Sequence, residues 1–195
     1  MKTYYERRAH EYDDWWLGTG LHGERHRPGW HESVSELTET LAALPPAKTL
    51  DVACGTGFLT QHLPGTVVGF DQSESMLALA RKRVPEARFV QGDAAELPFA
   101  DNEFERLFTS FFYGHLEENE RSAFLSEARR ITGELVVVDS ALNEDHDPVE
   151  WQERILKDGS TWEVYKRFFS AGGLADELGG GEPLYESRWF VAVRS

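Results

Sequence analysis

The chain has 195 residues, of which 41% are hydrophobic and 28% are charged, which predicts one globular domain with a full core. Its formal net charge of −14, without any cluster of lysines and arginines, argues against a nucleic-acid partner. No run of 18 apolar residues predicts a membrane span, and the N-terminal residues lack the apolar segment of a secretion signal. We therefore expect a cytoplasmic monomer or homodimer with no membrane partner.

Two further exclusions follow from composition. Cys54 is the only cysteine, so the chain has no internal disulfide and no cysteine-rich zinc site, and we expect no metal. The acidic balance has two interpretations, a solvated surface that aids solubility or a site that attracts a cation.

Residues 1–31 are rich in aromatic residues and histidines. Tyr5, Ala9, Tyr12 and Trp16 follow one another at spacings of four, three and four, which predicts one face of a helix over residues 3–16. Glycines and a proline between positions 18 and 29 then break regular structure. This segment is either an aromatic helix that packs on the domain or a lid over a ligand.

Strands and helices alternate along the rest of the chain. Apolar runs predict strands at 49–53, 66–71, 87–91, 104–110 and 134–139. Helical periodicity predicts helices at 31–44, 58–63, 73–83 and 118–131, the third of them capped by Ser73. Such alternation indicates an α/β fold, with a parallel sheet that carries helices on both faces.

Polar or glycine residues stand at the end of each of the first four predicted strands. Gly55 and Gly57 follow the first strand, Asp71 ends the second, Asp93 follows the third and Ser110 ends the fourth. Because ligands of open α/β sheets bind beyond the carboxyl ends of the strands, these residues predict one shared rim. At any single position the alternative is an ordinary turn, and four positions in phase favour a site.

The residue types of this rim favour a nucleoside. Asp71 can accept both hydroxyls of a ribose, Asp93 can accept an adenine amino group, and the Ala94 backbone can pair with a ring nitrogen. The glycine turn has no lysine or arginine for a phosphate, and Thr60 replaces the third glycine of a dinucleotide motif. An acidic rim of this kind suits a nucleoside that carries positive charge.

Three motifs resemble those of the class I S-adenosylmethionine (SAM)-dependent methyltransferases, in particular the small quinone-biosynthesis and small-molecule type. They are residues 51–57 (DVACGTG), 69–77 (GFDQSESML) and 92–99 (GDAAELPF), followed by a fourth strand and its loop at 104–116. Ala53 stands where this family usually has its first glycine, and we interpret the alanine as tolerable crowding.

The resemblance implies a Rossmann-like three-layer sandwich. Its seven-stranded, mostly parallel sheet would have the order 3-2-1-4-5-7-6, with strand 7 antiparallel and residues 183–187 and 189–193 as the last pair. We expect a single domain with an N-terminal helical lid (1–45), a cofactor-binding core (46–139) and an acceptor-side insert with the last strand pair (140–195).

The resemblance also implies a cofactor site for SAM, with S-adenosylhomocysteine (SAH) as the product. Carried over residue by residue, the site comprises Tyr5, Tyr12, Asp51, Ala53, Gly55, Gly57, Asp71, Gln72, Ser73, Met76, Asp93, Ala94, Ser110 and Phe111.

Methyl transfer is an in-line displacement, so alignment and exclusion of water can supply most of the catalysis. A hydroxyl or amine acceptor also benefits from a base, for which His115 is the first candidate, with Tyr113 beside it. The alternative for His115 is a histidine that only packs or faces water.

The aromatic ends of the chain are expected to form the pocket of a small-molecule acceptor. Its predicted members are Trp15, Trp16, His22, Trp151, Trp162 and Tyr165. The alternative is a hydrophobic seam or a dimer contact. Lys166 and Arg167 would either meet an anionic acceptor or carry surface charge.

Three functions remain open at this point: a small-molecule methyltransferase, a methyltransferase acting on RNA or protein, and a protein that binds SAM or SAH without catalysis.

Overall fold

A seven-stranded sheet forms the centre of the computed structural model, which describes residues 1–195. Its strands are in the order β3-β2-β1-β4-β5-β9-β8, and only β9 runs antiparallel to the other six strands. The strands are β1 (Ala47–Val52), β2 (Gly65–Asp71), β3 (Arg88–Gln91), β4 (Arg106–Ser110), β5 (Glu134–Ser140), β8 (Glu182–Glu186) and β9 (Phe190–Arg194). The predicted fold and strand order are confirmed, with β8 and β9 as the last pair.

Two antiparallel strands stand outside this sheet and form a hairpin that was not predicted. They are β6 (Val149–Ile155) and β7 (Thr161–Arg167). The turn between them holds Asp158 and Gly159, and Gly159 has a φ of 80°. An Asp-Gly pair between alternating residues is a hairpin signal, so the sequence does contain the evidence for this element.

Six α-helices accompany the strands. They are α1 (Lys2–Arg8), α2 (Asp14–Leu17), α3 (Trp30–Ala42), α4 (Glu74–Arg83), α5 (Glu118–Ile131) and α6 (Ala171–Glu177). Ser73 caps α4 as predicted, since its hydroxyl accepts the backbone N–H of Met76 at 3.2 Å. Glu117 and Glu120 form a capping box that fixes the start of α5.

Two predicted helices are wrong in extent. The helix expected over residues 3–16 is two short helices, α1 and α2, joined by a 3-10 turn, Ala9–Glu11. The helix expected over 58–63 is a single 3-10 turn, Thr60–His62, because Pro64 follows it and Gly65 begins β2.

The core lies on both faces of the sheet, which explains why the central strands are apolar throughout. In β5, Leu135 and Val137 face the cluster formed with α5 and α6, whereas Val136 and Val138 face the cluster formed with α3. A third small cluster joins Tyr4 of α1 to the hairpin. The N-terminal segment is therefore packed on the domain and on the hairpin together.

None of the helices combines the length and apolar character that crossing a membrane requires. No group of three or more His, Cys, Asp or Glu side chains is arranged to hold a metal ion.

Ala53, directly after β1, has a φ of 58°, in the left-handed region. The replacement of the family's glycine is therefore a question of backbone conformation, because an L-residue with a Cβ is disfavoured there.

We predict that Ala53→Gly stabilises the protein by about 0.5–1 kcal/mol, because the relief of the left-handed strain exceeds the added entropy of the unfolded chain. Ala123→Gly, at an exposed position in the interior of α5, is the matched control and should destabilise by about 0.5–1 kcal/mol. Urea unfolding of both variants measures the difference. A loss of stability in both would contradict the conformational interpretation.

Candidate active site

Asp71 organises the loops at the carboxyl ends of β1 and β2. One carboxylate oxygen accepts the backbone N–H of Gly55 at 2.9 Å, and the other accepts that of Ser73 at 2.8 Å. Burial raises the pKa of Asp71 above its ordinary value, although these hydrogen bonds oppose the rise. The glycine turn and the start of α4 are thus held by one carboxylate.

A cleft of about 560 Å³, part of it open to solvent, lies above this carboxylate. Eleven of the predicted cofactor residues line it: Tyr5, Tyr12, Ala53, Gly55, Asp71, Gln72, Met76, Asp93, Ala94, Ser110 and Phe111. Phe70, Gly92 and Phe112 complete the lining and were not predicted. The cleft contains two carboxylates and no lysine, arginine or histidine, so its electrostatics favour a neutral or cationic ligand.

Three residues predicted for this site do not line the cleft. Asp51 is buried beneath the glycine turn, where it accepts the Thr60 hydroxyl at 2.6 Å. Gly57 faces α4, and a Cβ there would lie 3.3 Å from Ala80. Ser73 is fully buried as the cap of α4. These residues support the turn from behind.

A second space, which we call the side cavity, adjoins the cleft and has a volume of about 390 Å³. Tyr5, Tyr12 and Phe111 line both spaces, so the two spaces share these side chains. The other lining residues of the side cavity are Arg8, Trp15, His115, Ser140, Arg154 and Lys166. An acceptor in the side cavity would therefore lie next to a ligand in the cleft.

His115 lines the side cavity and makes one defined contact. Its Nδ1 lies 2.7 Å from the carbonyl oxygen of Tyr165, which can only accept, so Nδ1 carries the proton and Nε2 has the lone pair. Burial, with further contributions from Lys166, Arg154 and Arg8, holds the pKa of His115 well below its usual value. The imidazole is therefore neutral at pH 7.

Tyr113 lies outside both cavities, which corrects its placement beside the reacting atoms. Its side chain is fully buried, and its hydroxyl donates to Glu177 at 2.9 Å. Burial and this carboxylate raise the pKa of Tyr113 far above its ordinary value. The hydroxyl has a structural partner and no access to a ligand in the cleft.

The predicted acceptor pocket is only partly assembled. Trp15 lines the side cavity, but Trp16 is buried and stacks on Phe58 with ring centroids 4.5 Å apart. His22 lines a different cavity, beside Arg8 and Arg154.

The aromatic residues of the hairpin lie outside the side cavity. Trp151 is 63% exposed and contacts the ring of Tyr165. Trp162 packs against Tyr4. The hairpin turns these rings away from the cavity and presents Arg154 and Lys166 to it.

Sequence reasoning missed Arg8, Ser140 and Arg154 in the side cavity. Arg8 stands between the predicted Tyr5 and Tyr12, and Arg154 belongs to the unpredicted β6. The period-2 alternation of β6 was the signal that places Glu150, Gln152 and Arg154 on one side of that strand.

Comparison with known proteins supports this fold and indicates a family. Residues 49–134 match the family model described as a methyltransferase domain. A demethylmenaquinone methyltransferase of Renibacterium salmoninarum is 38% identical over 109 residues, which are 53% of this chain and 45% of that protein. An uncharacterized methyltransferase of Synechocystis is 35% identical over 119 residues, 58% of this chain and 54% of that protein. The chain spans about half the length of these relatives.

The SAH complex of DhpI superimposes with a TM-score of 0.73 at 22% identity, over 98% of this chain and 92% of that one. This likeness shows the fold over nearly the whole length. The predicted resemblance to the methyltransferases is confirmed, since residues 49–134 match a methyltransferase family model.

Asp51 yields a pH prediction. Burial raises its pKa from 3.8 to about 7, the Thr60 hydroxyl opposes the rise, and Asp71 adds to it. Between pH 4 and pH 7 the folded state thus binds more protons than the unfolded state, so this group lowers stability as the pH rises. The slope is at most about 1.4 kcal/mol per pH unit.

We predict that Asp51→Asn removes this slope, so that the variant gains stability relative to wild type as the pH rises from 4 to 7. Urea unfolding at each pH measures the difference. Asp176→Asn, an exposed position in α6, is the control and should track the wild type. A difference between Asp51→Asn and wild type that stays constant across this range would show that Asp51 does not titrate there.

Proposed function

We propose that this chain is a SAM-dependent methyltransferase that acts on a small organic molecule. One observation carries the proposal: a cleft with carboxylates and no cation shares a wall of two tyrosines and a phenylalanine with a second cavity. The first space suits a positively charged nucleoside, and the second can hold the acceptor beside it.

The residues of the cleft fit SAM. Each Asp71 oxygen accepts one backbone N–H and retains a lone pair, so the two ribose hydroxyls can donate to it. Asp93 is exposed at the end of β3, where it can accept an adenine amino group. Met76 supplies an apolar surface for the base. The absence of cationic side chains from the lining removes repulsion of a sulfonium.

Bound SAM would supply a methyl group on positively charged sulfur, which an acceptor lone pair could displace in line, with the carbon–sulfur electrons remaining on sulfur. The chain contributes alignment and exclusion of water, which can lower the barrier by up to about 7–11 kcal/mol. Tyr5, Tyr12 and Phe111 line both spaces and so orient the two reactants. His115, neutral and with a free Nε2, accepts the proton where the acceptor is a hydroxyl or an amine.

A small acceptor is favoured because residues of α1, α2 and the turn between them cover the site. Arg8, Tyr12 and Trp15 close one side of the side cavity, while β7 closes another through Lys166. The name of the Renibacterium relative denotes a quinone acceptor, but the match covers only 53% of this chain and 45% of that protein. The side cavity of this chain is therefore the evidence for its acceptor.

Calorimetry with SAM, SAH and NAD tests the cofactor, and a methyl-transfer screen over phenols, amines, thiols and organic acids tests catalysis. We expect binding of SAM and SAH, no binding of NAD, and transfer to one of the small acceptors. Binding of NAD alone would overturn the cofactor assignment. Binding of SAH without transfer to any acceptor would favour a non-catalytic binding protein.

We predict that Asp71→Asn weakens SAM and SAH at least about 10-fold, because hydrogen bonds to a charged carboxylate contribute about 1.5–3 kcal/mol each. Thermal unfolding and circular dichroism of the variant check that the fold is retained. Asp101→Asn is the control and should bind as wild type does, because Asp101 lies in the loop that leads into the amino end of β4, away from the cleft. Unchanged affinity in folded Asp71→Asn would show that the ribose lies elsewhere.

A further inference from the structure

The arginines of this chain differ in their partners. Nine of the fifteen contact a carboxylate within 4 Å. Of the six that do not, four line the side cavity or the two cavities that share Arg154 with it: Arg8, Arg25, Arg27 and Arg154. In a chain with a net charge of −14, the arginines without a carboxylate partner are thus concentrated around the side cavity.

Arg8 and Arg154 both line the side cavity and have donors to spare. Arg8 donates one hydrogen bond, to the Tyr4 hydroxyl at 2.6 Å, and its guanidinium lies 4.8 Å from the centroid of the Tyr12 ring. Arg154 donates to Gln152 at 2.5 Å, while its Nε is buried and has no partner. A buried donor without a partner is costly, so a ligand that accepts from it would be stabilised.

No carboxylate of the chain neutralises these two arginines. The side cavity has none in its lining, and its third cation, Lys166, is already paired with buried Asp139 at 2.6 Å. Both oxygens of nearby Glu11 accept the backbone N–H of Lys157 at 3.1 Å. Glu153 lines a neighbouring cavity but forms no ion pair.

The surrounding groups report the same positive potential. His22, in the cavity that shares Arg8 and Arg154, has its pKa lowered to about 4 by burial and by Arg25, Arg8, Arg27 and Arg154. Two like charges brought together in a part-buried space destabilise the fold unless an anion joins them. A negatively charged ligand in the side cavity would relieve this repulsion.

We propose that the methyl acceptor carries an oxyanion, a carboxylate or a phosphate-type group, which Arg8 and Arg154 bind in the side cavity. This inference rests on the proposed function, since it assigns the chemical class of the acceptor in that reaction. Guanidinium groups suit the task because their planar donors match two oxygens of one anion at once.

Calorimetry on SAH-saturated protein tests the proposal with three probes: benzoate, phenyl phosphate and the neutral benzamide. We expect benzoate or phenyl phosphate to bind at least about 10-fold more tightly than benzamide, and which of the two binds identifies the anion. This preference should weaken as salt is added, because it is electrostatic. Arg154→Gln should lose at least about 10-fold of the anion affinity, and Arg154→Lys should recover part of it.

Arg7→Gln is the control, because Arg7 is an exposed arginine of α1, next to Arg8 in the sequence, and is paired on the surface with Asp158. It should leave anion binding unchanged, and SAH affinity should stay the same in all Arg154 variants. Three results would overturn the inference: equal binding of benzoate, phenyl phosphate and benzamide, no binding of either anion, or an unchanged anion affinity in Arg154→Gln. If SAH still binds, the proposed function remains intact in each case. Failure of SAH itself to bind removes the proposed function instead.

Discussion

The hydrogen bonds from two loops to the carboxylate of Asp71 are the contacts on which the cleft depends. Gly55 belongs to the turn after β1, and Ser73 begins the helix after β2, so one side chain sets the spacing of two crossovers. Asp71 is nearly buried, and a partly buried carboxylate needs such donors to remain charged. The glycine turn therefore has its shape before any ligand arrives, which preorganises a binding surface.

The N-terminal segment is the second wall, and polar contacts hold it to both sides of the site. Glu6 accepts the first backbone N–H groups of α4, at 2.8 and 3.2 Å, where a negative charge also complements the helix dipole. Asp13 accepts the hydroxyl of Thr56 in the glycine turn. Glu11 accepts from the hairpin turn at Lys157. The segment is thus packed on the domain, and its Tyr5 and Tyr12 also line the cleft.

Strand ends and glycine turns are local signals that the parallel topology brings to one rim, so the residues themselves predicted most of the cleft. The strand order was predicted from the resemblance to the methyltransferases. The prediction of the acceptor pocket was wrong where a side chain's position depends on which face of a strand is turned toward the cavity. Trp151 and Arg154 are three residues apart on β6, and only the packing of the hairpin decides which of them meets the cavity. The prediction for Tyr113 was wrong for a related reason, since its hydrogen-bond partner Glu177 lies 64 residues away on α6.

The cleft and the side cavity share aromatic side chains but have opposite electrostatics. The cleft has carboxylates and no cation, and the side cavity has two uncompensated arginines and no carboxylate. Transfer of a methyl group from a sulfonium to an anionic acceptor neutralises both charges, so a partly desolvated site favours the transition state over the separated ions. Where the oxyanion is itself the nucleophile, no proton is released, which is compatible with a histidine held neutral beside it.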